Sequence, residues 1–340
     1  MESSMNGSDD MVPAPVTYPG VSVISPILNE ERHLRDAVAN ILASDYPGPI
    51  EIVLALGPSD DATDAVATAL ADADARVRLV GNPSGKTAAG LNAAVAQARY
   101  SIIARVDGHA LIPPTYLSTA VATLNATGAA NVGGVMAAEG ETDFEKAVAA
   151  AMRSWFGVGG AAFHIGGEPG PALTVYLGVF QRTAIEAAGG FDESMVRAQD
   201  WELNHRIRAA GGLIWFTPDL QVSYRPRAGV RALASQYWQY GRWRREVTRR
   251  HPETVSARYL APPAVVTAIA AGTALAIVSS WSRKSVLTAV SMLPALGYAG
   301  GVAAASAYIG RGATPAVKWR IPIALITMHT CWGAGFIRGA

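Results

Sequence analysis

Asp200 opens the segment Gln199-Asp200-Trp201-Glu202-Leu203-Asn204-His205-Arg206-Ile207-Arg208, whose spacing is helical. Leu203 and Ile207 fall four apart on one face, and Glu202 and Arg206 share that spacing on another. Gly211-Gly212 stops the helix. Gly189-Gly190-Phe191-Asp192-Glu193, just upstream, reads as a turn needing permissive backbone with an aromatic plug behind it. A carboxylate at the head of a rigid element can accept a proton from a substrate hydroxyl. It can equally serve as a plain helix N-cap. A second chemical group is the triplet Asp107-Gly108-His109, which follows an apolar run. A carboxylate beside an imidazole can hold Mn²⁺ or Mg²⁺, and such an ion would neutralise a diphosphate leaving group. Alone, the triplet is as compatible with a surface turn; its place at a strand end, ahead of Asp200, is what raises it. Gly85-Lys86-Thr87 invites a phosphate-loop reading, but Val80 stands where that motif needs its first glycine.

The elements that must position these groups alternate. Val21 to Ser25, Ile50 to Leu56, Val77 to Val80 and Ile102 to Val106 are short apolar runs that read as buried parallel strands. Helices are expected over 31–43, from the loop at 57–63 to about Leu70, and over 87–98. This alternation predicts an α/β fold with a mostly parallel sheet, whose ligands bind beyond the carboxyl ends of the strands. Glu30, Asp60, Asp61, Asp107 and His109 all fall in such loops. Further on, helices are expected near 113–124 and 143–153, and strands at 131–136, 173–180 and 213–216. The Gly-rich run from Gly157 to Gly170 reads as a mobile loop over a site or as a surface connection.

Composition adds a membrane. Of the 340 residues 50% are hydrophobic and only 16% charged, with a mean hydropathy of +0.19. A net charge of +1 gives no global field for nucleic acid. The single cysteine, Cys331, excludes an internal disulfide framework and a multi-cysteine metal site. Residues 1–19 read as a disordered polar tail with no signal-peptide core. Over 229–260 aromatics and arginines alternate at helical spacing, which suits a membrane interface. Apolar stretches at 264–280, 286–309 and 321–337 predict a membrane domain over 261–340 with about three spanning helices. The arginines at 242–250 place the larger domain, 20–228, on the cytoplasmic face of the cell membrane; Arg283, Lys284 and Arg338 weigh the other way.

With these pieces named, the chain resembles a family 2 glycosyltransferase of the GT-A fold, a Rossmann-like mixed sheet that is mostly parallel. The resemblance runs from about Val21 to Trp243 and rests on Pro26 with Asn29-Glu30, Ser59 to Thr63, Asn82, Asn92, Asp107-Gly-His109, the GGFDE turn at 189–193, Gln199-Asp200, and Gln239-x-x-Arg242-Trp243. Within the family it is most similar to the succinoglycan-type glucosyltransferases of bacterial exopolysaccharide assembly. The resemblance implies that Pro26, Asn29, Glu30, Asp60, Asp61, Lys86 and Asp107 bind the donor. Asp107 and His109 would hold Mn²⁺ or Mg²⁺ on its diphosphate. Asp200 would deprotonate the acceptor hydroxyl in a single inverting displacement, and Gln199, Gln239, Arg242 and Trp243 would line the acceptor or diphosphate side. The implied donor is a nucleotide-sugar, UDP-glucose or a similar hexose, and the implied acceptor a lipid-linked or polyprenyl-linked glycan. Two positions depart from the family pattern. Leu56 stands where members often carry a base-binding aspartate, and His109 where many have Asp. The alternatives are a polyprenyl-phosphate sugar synthase and a catalytically silent subunit that binds a nucleotide or glycan; a processive synthase is disfavoured because no span precedes the catalytic domain.

Overall fold

The structure is a computed structural model; it describes residues 18–282 and 285–340, so the tail expected over 1–19 lies almost wholly outside the described residues. The first half alternates β1 (Val21–Ile27), α1 (Leu34–Leu42), β2 (Ile50–Leu56), α2 (Thr63–Ala73), β3 (Val77–Gly81), α3 (Thr87–Gln97) and β4 (Ile102–Arg105). There follow α4 (Tyr116–Thr127), β5 (Asn131–Ala138), α5 (Asp143–Met152), the short α6 (Trp155–Val158) and α7 (Ala162–Ile165), and β6 (Gly170–Pro171). The catalytic half closes with β7 (Tyr176–Gln181), α8 (Arg182–Ala187), α9 (Gln199–Ala209) and β8 (Ile214–Tyr224). The C-terminal part is helical: α10 (Val230–Arg250), α11 (Ala257–Trp281), α12 (Ser285–Ser291), α13 (Leu293–Ile309), α14 (Pro315–Lys318) and α15 (Ile321–Arg338).

One eight-stranded sheet runs β3-β2-β1-β4-β7-β5-β8-β6. Strands β1 to β4 are mutually parallel, and β7 enters antiparallel between β4 and β5. The expected mixed, mostly parallel sheet is what forms. Side chains alternate across it with the two-residue period of a strand. Val21, Val23, Ile52, Leu54, Ile102 and Ala104 face one core with α1, α2 and α4. Ile24, Val53, Ala55 and Ile103 face the other with α3, α8 and α9. Covered on both sides, these strands are near-continuous apolar runs, and that is why they were legible. Two strands differ in extent from expectation. β7 starts at Tyr176, because Thr174 and Val175 line a cavity instead of pairing. β8 runs on to Tyr224, since β5 stays paired with it beyond a bulge at Gly133/Val135.

A third core binds the C-terminal helices to the sheet domain. It joins Met136 and Ala138 of β5 and Val148 and Met152 of α5 to Leu233 and Tyr237 of α10, Val302 of α13, and Leu325 and Met328 of α15. Helices α10 and α15 touch backbone to backbone. A Cβ on Gly241 would meet the Trp332 carbonyl oxygen at 1.9 Å, and one on Gly335 the Trp238 carbonyl oxygen at 2.2 Å. Small residues permit this approach. The expectation of about three spans is revised here. By length and composition α11 can cross a membrane, and α12 with α13 count as a second such segment only if the pair, bent by 40°, is taken as one span. α15, the expected third span, is not among them; its 18 residues are long enough but fall short in apolarity. Its inner face is buried against α5 and α10.

The tight crossing generates a test. Gly335→Ala forces the two helices apart and should cost roughly 1–3 kcal/mol, read as a lower Tm in detergent. Gly297→Ala, with nothing within 4 Å of the added methyl, should leave Tm unchanged or raise it.

Candidate active site

Asp200 lies in the first turn of α9, not at its cap. The N-cap is Ala198, held at φ 61 in the left-handed region that a side chain seldom occupies. The Asp200 side chain makes no capping hydrogen bond, so the plain-cap reading is set aside. Its carboxylate instead pairs with Arg105 at the end of β4. The same guanidinium reaches Asp107 with Nε to Oδ1 at 2.9 Å and Nη2 to Oδ2 at 3.3 Å. Arg105 thus stands between the two carboxylates that the sequence singled out, and only 8% of its side chain is exposed. Burial opposes its charge, but Asp107 and Asp200 outweigh burial and keep it protonated. Burial is also the largest influence on Asp200 and raises its pKa above the usual aspartate value; Arg105 pulls it down and Asp107 pushes it up. The carboxylate still opens on a cavity, with 40% of its side chain exposed. A raised pKa moves a carboxylate toward the strength a proton acceptor needs at neutral pH.

His109 turns to Glu30, its Nδ1 2.7 Å from Oε1. The Glu30 hydrogen bond raises the His109 pKa against burial. Asp107, His109 and Glu30 therefore present two carboxylates and an imidazole at the ends of β4 and β1, a donor set that suits Mn²⁺ or Mg²⁺. Among the described residues, the group whose potential ligand atoms lie within 4.8 Å of one another is a different one, His205, His251 and Glu253, where α9 meets the end of α10; Asp107, His109 and Glu30 do not gather that closely.

The remaining donor candidates divide into braces and free groups. Asn29 accepts from the Asp60 amide at 2.8 Å, and its own amide donates to Ser59 at 3.1 Å. The Glu30 amide donates to the Thr63 hydroxyl at 2.7 Å. Asp61 accepts from the amide and hydroxyl of Thr63 and from the Glu31 amide. The Thr63 hydroxyl is the main cause holding its pKa low. Asn29 and Asp61 thus tie the loop after β1 to the loop after β2. Pro26 is in β1, past the last residue of the β1–β4 ladder. Asp60 and Lys86, exposed at the ends of β2 and β3, have side chains with no partner among the described residues. Asn92 is a brace too: its side chain accepts from the Phe191 amide and donates to the Phe191 carbonyl, both at 2.8 Å, holding the glycine turn at 189–193 against α3.

On the acceptor side, a cavity of about 880 Å³ extends from Asp200 past α10 to α11 and α15. Trp243 lines it; Gln199, Gln239 and Arg242 do not. Arg242 is turned away and donates through Nε to the Gly339 carbonyl at 2.7 Å. Helical spacing explains this, since Tyr237, Tyr240 and Arg244 share the cavity face and Arg242 projects from another. Part of the Gly-rich segment lines the cavity through Gly157, Phe163 and His164, with Trp155 and Phe156 just before it. Sequence reasoning missed Arg105 and Arg244. An arginine inside a strand apolar on both faces was the available signal for the first, because such a charge must be paired. Arg244 had none beyond its place in a row of arginines.

The sheet and its strand order agree with a GT-A fold. The glycosyl transferase family 2 model matches residues 22–186. The succinoglycan biosynthesis protein ExoA of Rhizobium meliloti (strain 1021) is 34% identical over 324 residues, 93% of each chain. The dolichyl N-acetyl-alpha-D-glucosaminyl phosphate 3-beta-D-2,3-diacetamido-2,3-dideoxy-beta-D-glucuronosyltransferase of Methanococcus voltae is 25% identical over 230 residues, 65% of this chain and 71% of that one. Among solved structures, the mannosyltransferase PcManGT from Pyrobaculum calidifontis, in complex with GDP-Man and Mn²⁺, superposes with a TM-score of 0.58 at 20% identity, over 94% of this chain and 88% of that one. The chain belongs to glycosyl transferase family 2, and it is a glycosyltransferase.

The Arg105 clamp sets a pH expectation. Asp200 must be ionised to act, so activity falls on the acid side through its raised pKa. Arg105→Gln removes the one influence lowering that pKa and should move the acid limb of kcat/KM up by roughly 1–3 pH units. Arg105→Lys should move it less. A limb that stays in place in Arg105→Gln would show that Asp200 does not sense Arg105.

Proposed function

We propose that the protein is a membrane-anchored, inverting hexosyltransferase that moves a sugar from a nucleoside-diphosphate donor, a UDP-hexose such as UDP-glucose, to a lipid-linked glycan of the cell envelope. The observation that carries this reading is the cavity that joins Asp200 to α11. A base reached through a chamber walled by an apolar helix suits an acceptor that arrives on a lipid. α11 has a mean hydropathy of 1.8 in its most apolar window, and only 11% of that window is buried. Large exposed apolar side chains continue over Ile277, Val278, Trp281, Val286 and Val290, which supports a lipid-facing surface. The relatives agree in kind: one is named for succinoglycan biosynthesis and another for a sugar carried on dolichyl phosphate. The arginines expected to mark the cytoplasmic face support orientation less than their number implied. Arg242 and Arg245 bond carbonyls at the end of α15, and Arg249 and Arg250 pair with Glu246.

In this reading the donor lies across the loops after β1 to β4. Asp60 is the carboxylate left free to meet the base or ribose where Leu56 replaces the usual aspartate. Asp107 and His109, with Glu30 beside them, would hold the divalent ion, which when bound supplies positive charge against the diphosphate. Asp200 accepts the proton of the acceptor hydroxyl as that oxygen bonds to the anomeric carbon. The bond from that carbon to the diphosphate oxygen breaks on the opposite side, and the nucleoside diphosphate leaves with the electron pair. Arg105 keeps Asp200 ionised and aimed along the cavity, and the walls from Trp155 to His164 restrict water at the donor sugar.

Asp200→Asn should keep donor affinity within about two-fold and lower transfer by roughly 10²-fold or more, measured as radiolabelled sugar moved to extracted lipid. Near wild-type transfer in that variant would end the assignment of Asp200. Asp107→Ala should weaken donor binding and its dependence on Mn²⁺ together, read by calorimetry with UDP. Donor binding without turnover in the wild-type protein, across a panel of donors and acceptors, would favour a silent binding subunit.

A further inference from the structure

Arg244 is a half-buried cation that has no salt-bridge partner among the described residues. Its guanidinium is sandwiched between the rings of Trp201 and Tyr259, 4.4 Å from each centroid. Its Nη1 is buried and makes no hydrogen bond among the described residues. Burial lowers its pKa to about 10, which leaves it charged at neutral pH. The nearest charged group acting on it is a second cation, Arg258, whose own guanidinium lies over Tyr259 and donates to the Tyr259 hydroxyl at 2.6 Å. Two more buried nitrogens in the same wall lack partners, Nε1 of Trp201 and Nδ1 of His164. Among the described residues, the carboxylate lining the cavity is Asp200, and Arg105 already holds it. A wall with two guanidiniums, an unpartnered indole N–H and a carboxylate already held by Arg105 favours an anion. Desolvating a guanidinium is costly unless an opposite charge arrives.

Placement narrows the anion. Trp201 directly follows Asp200 on α9, so the cation sits beside the base, not among the donor loops. On its other side the cavity continues between Pro262 and Val265 of α11 and Met328 and Trp332 of α15. Its volume of about 880 Å³ is at the upper end of the range for ligand pockets. We propose that Arg244 and Arg258, with Trp201 Nε1–H, form the subsite for the phosphate groups of a lipid-phosphate or lipid-diphosphate acceptor. The hydrocarbon then leaves along α11, and the sugar hydroxyl points to Asp200. This deepens the lipid-acceptor reading above and rests on it. It also moves the phosphate contact from Arg242, which is bonded to Gly339, to the next arginine on α10, Arg244. A guanidinium clamped between two rings is pre-organised for phosphate oxygens and gives up little freedom on binding.

The test uses the full chain in detergent, titrated with farnesyl diphosphate, farnesol, inorganic pyrophosphate, and UDP with Mn²⁺, read by calorimetry and by tryptophan fluorescence. Farnesyl diphosphate should bind at least about ten-fold more tightly than farnesol, and pyrophosphate should compete with it. Arg244→Met should lower farnesyl diphosphate affinity about ten-fold or more and leave UDP affinity unchanged. Its Tm should hold or rise, because an uncompensated buried charge has been replaced by an apolar side chain of similar length. In transfer assays the same variant should raise the acceptor KM and spare the donor KM, with Arg244→Lys recovering part of the loss. Equal binding of farnesol and farnesyl diphosphate would overturn the subsite. A UDP defect as large as the farnesyl diphosphate defect would assign Arg244 to the donor. A lowered Tm with unchanged lipid binding would make it a structural cation. In each of these cases transfer by the wild-type protein to a lipid-linked acceptor still stands, so failure of the subsite is separable from failure of the function.

Discussion

The buried pairing of Arg105 with both Asp107 and Asp200 is the interaction on which the centre of this molecule depends. The two carboxylates come from segments 93 residues apart and would repel each other if brought together alone. A guanidinium between them offers two edges: Nε and Nη2 donate to Asp107, and Nη1 donates to Asp200. Removing a partner from such a buried triad leaves an uncompensated charge, a far larger penalty than the net worth of the pairing. The triad also fixes where the Asp200 charge points, because α9 itself makes no cap with it.

Around that centre the loops support one another instead of waiting for a ligand. Asn29, Ser59, Asp61 and Thr63 cross-link the first two strand ends, and Asn92 grips the turn that precedes α9. Gly190, at φ 76, lets that turn pass within reach of the Asn92 side chain. Glu202 and Arg206 complete the brace: their ion pair at 2.7 Å lets Arg206 donate to the carbonyls of Ala188 and Gly190. Motif residues that look like ligands in a one-dimensional reading thus turn out to be the frame that places the ligands. Asp60 and Lys86 have side chains with no partner among the described residues, which leaves them free to meet a ligand.

The C-terminal helices are continuous with the catalytic unit. α15 lies in the same core as α5 and α10, and its final carbonyls accept hydrogen bonds from Arg242 and Arg245. Cations suit that end of a helix. The consequence is geometric: the wall of the cavity beside Asp200 is made by the sheet domain, α10 and the apolar helices together. A change in any of the three is felt at Asp200.

Much of this was written in local sequence. Strands buried on both faces have to be apolar throughout, and glycine turns and helical spacing announce themselves, so the sheet, its alternation with helices and the loops at its carboxyl edge were all readable. Asp107, His109 and Asp200 were readable because carboxylates at element ends are few and their chemistry is specific. Partnership was not. Whether Asp61 binds a ligand or the Thr63 hydroxyl, or whether Arg242 or Arg244 faces the cavity, depends on about 100° of rotation per helical residue and on groups far away in the chain. The packing of 321–337 was undecided for the same reason: an apolar stretch is equally content against lipid or against another helix, and the structure shows one face of α15 in a glycine-lined contact with α10. Composition sets what each segment can bury, and tertiary packing decides what it is buried against.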